Sequence, residues 1–229
     1  MAVINAARDV IKKLCALAAR KWDIPAEEVR WDAGQAVPSD AHKDNPEIKP
    51  LGFKALAAMA TKMGGAVAGH SEINATGAGA AFCAQLVDVE VDPETGFVRP
   101  LRHTVFEDVG RAISPDYVEG QMQGGAVQGI GWALNEAYVY DDDGHLLNTG
   151  FLDYRMPVAS DVPMIDCVLI EVPNPNHPYG VRGVGEPPLV SAPAAVANAV
   201  ENAVGCTFGA LPLSPPVVLK AVQARIAQH

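Results

Sequence analysis

The 229-residue chain is 49% hydrophobic and 19% charged, which fits a folded protein large enough for one large domain or two small ones. Its net charge of -10 argues against a nucleic-acid or anionic-membrane surface. No apolar run approaches the roughly 18 residues of a membrane span, and Met1-Ala2-Val3-Ile4-Asn5 lacks the basic-then-apolar order of a secretory signal. Cys15, Cys83, Cys167 and Cys206 are scattered without a Cys-x-x-Cys pair, which predicts reduced structural thiols and a cytoplasmic setting.

Residues 1 to about 22 predict an amphipathic helix, with Val3, Ala7, Val10, Ile11, Leu14, Leu17 and Ala18 at spacings of three and four. Asp23-Ile24-Pro25 turns the chain. A short helical turn over Ala26–Val29 and a short strand over Val29–Trp31 follow. Residues 34 to 50 are polar and contain proline, and read as a loop. Phe53–Met63 predicts a second helix, stopped by Gly64-Gly65. His70-Ser71-Glu72 approaches a nucleophile elbow, but Ile73 stands where that turn needs glycine, so a hydrolase built on Ser71 has weak support.

From about residue 80 the pattern becomes β. Phe82–Val91 alternates, Asp92-Pro93-Glu94-Thr95-Gly96 is a turn, and Val98–Val109 is the return strand. Asp88, Glu90, Asp92 and Glu94 read as the solvated face of this hairpin. Asp108 and Arg111 flank Gly110 as a candidate loop ion pair. Glycines at 120/124 and 125/129 have the spacing of a helix face that lies close to a neighbour; the amides of Gln121 and Gln128 equally suit a polar heterocycle. Asp141-Asp142-Asp143-Gly144 is another turn. Val168–Val172 predicts a buried strand, and Pro173–Pro178 a rigid loop. The tail, about 215 to 227, predicts a short helix. Hairpins rather than regular βαβ alternation predict an α/β (α+β) chain with mixed sheets and packed helices, as two subdomains meeting between about 65 and 120.

Glu186, in Gly183-Val184-Gly185-Glu186-Pro187-Pro188, is a lone carboxylate between two glycines and two prolines. Gly183 and Gly185 allow a close backbone approach, and Pro187 predicts an extended Glu186. A helix-like run from Ser191 to Gly205 follows. An aimed functional carboxylate and an exposed Glu at a strand-to-helix turn both fit. The six histidines are dispersed, so the sequence offers no metal-ligand cluster.

Taken together the motifs resemble the molybdenum-binding subunit, in its C-terminal part, of the xanthine dehydrogenase/aldehyde oxidase family of molybdenum hydroxylases. The resemblance is carried by Glu119–Gly125, Gln128–Gly131, Phe151–Pro157, residues 178–188 and Pro193–Ala199, with Asp88–Asp92, Thr95-Gly96 and Asp108–Gly110 in agreement. It covers essentially the whole chain. It implies that Glu186 is the general base that activates water at a molybdenum centre for hydroxylation of an aldehyde or N-heterocycle. It also implies that Gln121 contacts the molybdopterin, that Gly185 lies beside the metal with Val184 and Gln128 nearby, and that Tyr179 and Arg182 reach toward the substrate pocket. The metal would be held by the pterin dithiolene, in a form with or without a cytosine dinucleotide. The expected partners are a larger molybdenum-binding chain, an iron–sulfur subunit and an FAD subunit. The family's upstream half is missing from this sequence, which predicts a split subunit with a permanent interface. A non-catalytic fragment that completes a partner's fold is the other reading.

Overall fold

The computed structural model describes residues 1–42, 45–74, 77, 79–177 and 179–227. The chain forms two compact units, Met1–Thr76 and Gly77–His229. Among the described residues no helix is long and apolar enough to cross a membrane.

The first unit opens with α1, Ala2–Trp22, which buries Leu14, Cys15, Leu17, Ala18 and Ala19. It ends where Asp23 turns left-handed (φ 55°) and donates its N–H to the Ala19 carbonyl. A 3-10 turn, Ala26–Glu28, leads into β1, Val29–Asp32. The stretch read as a loop over 34–50 contains a second strand, β2, Gln35–Pro38, antiparallel to β1. The hairpin turns on Ala33 and Gly34, both at positive φ (45° and 83°). That geometry suits a two-residue hairpin, but alanine is an uncommon residue in it, which hid the turn. Strand β3, Leu51–Gly52, adds to β2, and α2, Phe53–Ala60, follows directly. This helix is shorter than predicted. The Gly65 N–H closes back on the Ala60 carbonyl, with Gly64 and Gly65 at φ 124° and 100°. Leu56 and Ala60 complete a core with Leu14, Leu17, Ala18, Val29 and Ala36. The exposed His70 and Glu72 side chains face each other at 3.5 Å in an irregular loop, which is tied to α1 through the His70 N–H on Asp9.

The second unit is a three-stranded sheet, β4 (Cys83–Val91), β5 (Val98–Asp108) and β6 (Ile165–Ile170), under three helices: α3 (Pro115–Leu134), α4 (Pro187–Val204) and α5 (Pro215–Ile226). The β4–β5 hairpin forms as predicted, with a register shift at Asp88/Val89. Strand β6 makes the sheet mixed, as expected, and differs from the predicted strand in extent and burial. It runs parallel to β5, so β5, α3 and β6 form a βαβ crossover. It also starts earlier and is only half covered: Ile165 is buried while Val168 and Ile170 are 40% and 44% exposed. The apolar run therefore marks a strand with one free face, which composition alone could not distinguish from a fully buried strand.

The core lies between the inner face of the sheet and the helices. Val105, Met122, Ala126, Ile130, Val196, Val200, Leu213 and Val218 are all buried in it. Gly125 and Gly129 are where α3 meets α4. A Cβ on Gly129 would stand 2.3 Å from Ala192 Cβ, and one on Gly125 would stand 2.9 Å from Pro188 Cγ. Pro193, inside α4, has no N–H for the Leu189 carbonyl, and that carbonyl faces Gly129. Gly120 and Gly124, by contrast, have open space where a Cβ would be. The two glycine pairs thus do different things: one lets the helices touch and the other bares the opposite face of α3.

Candidate functional site

Glu186 is the N-cap residue of α4, which begins four residues earlier than predicted. Its backbone is αR (φ -83°, ψ -38°), not extended as Pro187 suggested. The helix overrides the pre-proline preference. The Glu186 carbonyl accepts the N–H groups of Leu189 and Val190, both at 3.0 Å, and Pro187 and Pro188 have no N–H that the first turn would leave unpaired. The Glu186 side chain makes no capping hydrogen bond and is exposed.

The segment before it is held from below. Arg182, 11% exposed, pairs through Nε with Asp108 Oδ2 at 3.1 Å. It also donates to the Val172 carbonyl at 3.1 Å and to the Ala80 carbonyl at 2.5 Å. The ion pair of Asp108 is therefore with Arg182 rather than with Arg111, because the 182 backbone N–H docks on the Val109 carbonyl and brings that side chain alongside. The other Asp108 oxygen accepts the Gly110 and Val172 N–H groups. Gly110 has φ 70°, and a Cβ there would meet the Gly180 carbonyl at 2.2 Å, so the loop closes only with glycine. Pro178, the first residue of the motif, lies outside the described residues.

The glycine–valine–glycine segment is a wall shared by two clefts. One, of about 610 Å3, is lined by Gly183, Gly185, Glu186, Cys83 and Ser191 among others. The other, of about 260 Å3, is lined by Val184, Gln121, Arg111, Ser114, Tyr117 and Arg182. Gln121 and Gly185 meet where the two adjoin: a Cβ on Gly185 would lie 3.3 Å from Gln121 Nε2. The fold thus brings Glu186, Gly185, Val184 and Gln121 together. Gln128 lies two turns further along the exposed face of α3 and lines neither cleft. Arg182 lines the smaller cleft, but its guanidinium is committed to Asp108. Tyr179 is half exposed and lines neither. Sequence reading missed Cys83, Ser191, Arg111 and Ser114 as lining residues. It also missed Gln85, whose polar side chain occupies the inward phase of β4; that misplaced polarity was the available signal.

The donor set fits a polar heterocycle. The backbone is bare at Gly183, Gly120 and Gly124, and the exposed amide of Gln121 stands beside Gly185. Burial pushes the Cys83 thiol up, and burial with the nearby carboxylates pushes Cys167 up to about 11, so neither is an activated thiolate. Asp141, Asp143 and His145 gather within 4.8 Å in an exposed turn, where Asp141 accepts the 143 and 145 N–H groups.

Beneath the clefts two ionisable groups on β5 are fully buried. His103 Nδ1 and both Glu107 carboxylate oxygens are without a hydrogen-bond partner. Burial lowers His103 to about 4, and burial with the Asp108 charge raises Glu107 to about 7. The signs are opposite. Folded Glu107 keeps a proton that the unfolded chain loses above its ordinary value of 4.5, so its contribution is lost as pH rises toward 7. Folded His103 refuses a proton that the unfolded chain takes below 6.5, so its contribution is lost as pH falls toward 4. The two slopes cancel between about 4.5 and 6.5. Glu107→Gln is expected to unmask the His103 slope, with the unfolding temperature rising from pH 4 to 6.5 and then levelling. Thermal unfolding across pH checks this; an unchanged profile would show that Glu107 is not a buried neutral acid.

Residues 1–163 match the molybdopterin cofactor-binding domain family. The putative xanthine dehydrogenase molybdenum-binding subunit of Escherichia coli (strain K12) is 36% identical over 176 residues, 75% of this chain and 23% of that protein. The 6-hydroxypseudooxynicotine dehydrogenase complex subunit gamma of Paenarthrobacter nicotinovorans is 40% identical over 141 residues, 60% of this chain and 18% of that protein. Quinoline 2-oxidoreductase from Pseudomonas putida 86 superposes with a TM-score of 0.71 at 28% identity, over 95% of this chain and 28% of that one. The chain therefore spans less than a quarter of these two curated relatives. With a family match over residues 1–163, most of its length, the chain belongs to the molybdopterin cofactor-binding domain family, whose members among its relatives include xanthine dehydrogenase molybdenum-binding subunits.

Proposed function

We propose that this chain forms one wall of a molybdenum hydroxylase active site and contributes Glu186 as the general base. The observation that carries this reading is the meeting of Gln121 with Gly185 at the edge of the cleft that Glu186 lines. When bound, the molybdenum–molybdopterin group supplies the two-electron oxidising centre for hydroxylation with water. Gln121 offers an amide donor and acceptor to the pterin, and the glycine backbone at 183 and 185 allows close approach. Glu186 holds and releases the proton at its carboxylate, from a helix end that fixes its backbone. The substrate class is an aldehyde or an N-heterocycle, in line with relatives named for quinoline and for 6-hydroxypseudooxynicotine.

The clefts are open on one side, and Phe151 and Leu152 are 97% and 91% exposed. Such surface fits a chain that works against a larger molybdenum-binding partner, with iron–sulfur and FAD subunits carrying electrons away. Purification of the native complex with molybdenum and pterin analysis tests the reading. Gln121→Ala is expected to lower pterin occupancy several-fold while the complex still assembles. Absence of both metal and pterin from the wild-type complex would favour a fragment that only completes its partner's fold.

A further inference from the structure

Gln85 sits on the inward face of β4 and reaches the first turn of α4 from beneath. Its Nε2 donates to the Pro188 carbonyl at 2.6 Å and to Ser191 Oγ at 2.7 Å, with Cys83 Sγ more distant at 3.7 Å. Its Oε1 meets His103 Nε2 at 2.5 Å. The direction of these bonds follows from the partners. The Pro188 carbonyl can only accept, so the amide nitrogen must face it and the amide oxygen must face His103. His103 then donates from Nε2, which leaves Nδ1 as the bare, buried lone pair. Ser191 spends its own hydrogen on the Pro187 carbonyl at 3.2 Å. A directed chain of hydrogen bonds thus runs from the central strand to the carbonyls of both prolines.

That turn needs an outside anchor. Pro187 and Pro188 donate nothing, and the residues leading into it include Gly183 and Gly185. On the upstream side the chain is fixed at Arg182 by the Asp108 pair. On the downstream side the first side-chain attachment to the sheet is Gln85. Gln85 lines neither cleft, so it acts through α4 rather than on a ligand.

We infer that Gln85 is a positioning residue that sets the register of the Glu186 carboxylate by pinning the first turn of α4 to the sheet. The inference rests on the proposed role of Glu186. Gln85→Glu keeps the shape but turns a carboxylate oxygen toward the Pro188 carbonyl; Gln85→Leu removes every polar contact. In the assembled complex, with the substrate found by a panel of aldehydes and N-heterocycles, both variants are expected to lower kcat about 10- to 100-fold, the scale of an ångström-level misplacement. KM should stay near wild type, and molybdenum and pterin content should not change. Hydrogen exchange at the Leu189 and Val190 amides should quicken in both. Ser191→Ala, which removes one acceptor, should give smaller changes in the same direction.

If the Gln85 variants keep kcat while Glu186→Gln loses it, the positioning role falls and the base assignment stands. If Glu186→Gln keeps turnover, both fall. A Gln85 variant that loses its cofactor along with its activity assigns Gln85 to folding and overturns the inference.

Discussion

Glu186→Gln in the assembled complex is expected to lower kcat by about 10²- to 10⁴-fold, the range that a positioned general base supplies. The fold gives no reason for any other loss. The side chain caps nothing, and the bonds that start α4 come from the Glu186 backbone carbonyl, which glutamine retains. Glutamine also matches the shape and the hydrogen-bonding reach of glutamate, and lacks only the basic oxygen. Molybdenum and pterin content should therefore stay at the wild-type level. A loss of cofactor with activity would make Glu186 a binding residue, and near-normal turnover would remove it from the chemistry.

Gly129→Val should destabilise the second unit by about 2–3 kcal/mol, as overpacking of a closed core does. A Cβ at 129 meets Ala192 Cβ at 2.3 Å, Pro193 Cδ at 3.1 Å and the Leu189 carbonyl at 3.2 Å. All three contacts are with rigid groups, an alanine Cβ fixed to its backbone, a proline ring and a backbone carbonyl, so α3 and α4 must part to admit the side chain. The control lies on the same helix. Gly124 has nothing within 4 Å of a Cβ, so Gly124→Ala should stabilise by about 0.5–1 kcal/mol through helix propensity alone. Thermal or denaturant unfolding of both variants decides the matter. A loss of stability at 124 equal to that at 129 would show that glycine serves backbone freedom at both positions and contact at neither.

These opposite expectations bear on what the sequence could convey. Spacing alone marked 120/124 and 125/129 as equivalent glycine pairs, and only the position of α4 separates them. Elements with a local cause were legible: α1 from its periodicity, the β4–β5 hairpin from Asp92–Gly96, and the end of α4 from Gly205. Elements set by distant partners were not. Strand β2 was hidden behind an unusual Ala33-Gly34 turn. The parallel course of β6 depends on where α3 returns the chain. The start of α4 was misplaced because Pro187 disfavours αR at Glu186 locally, and helix formation prevails. For the site, Glu186, Gly185, Val184 and Gln121 were readable as motif residues, and the fold brings them together. Gln85 was not, since its partners lie some hundred residues further along the chain.

The close contact of α3 and α4 has a mechanical consequence. Gln121 projects from one of these helices, and Gly185 and Glu186 lead into the other. Gly125 and Gly129 remove the side-chain cushion that would let the two slide, so they behave as a single strut. The spacing between the Gln121 backbone and the backbone of Glu186 is thus limited by the separation of two helix axes as well as by the loop that carries the motif.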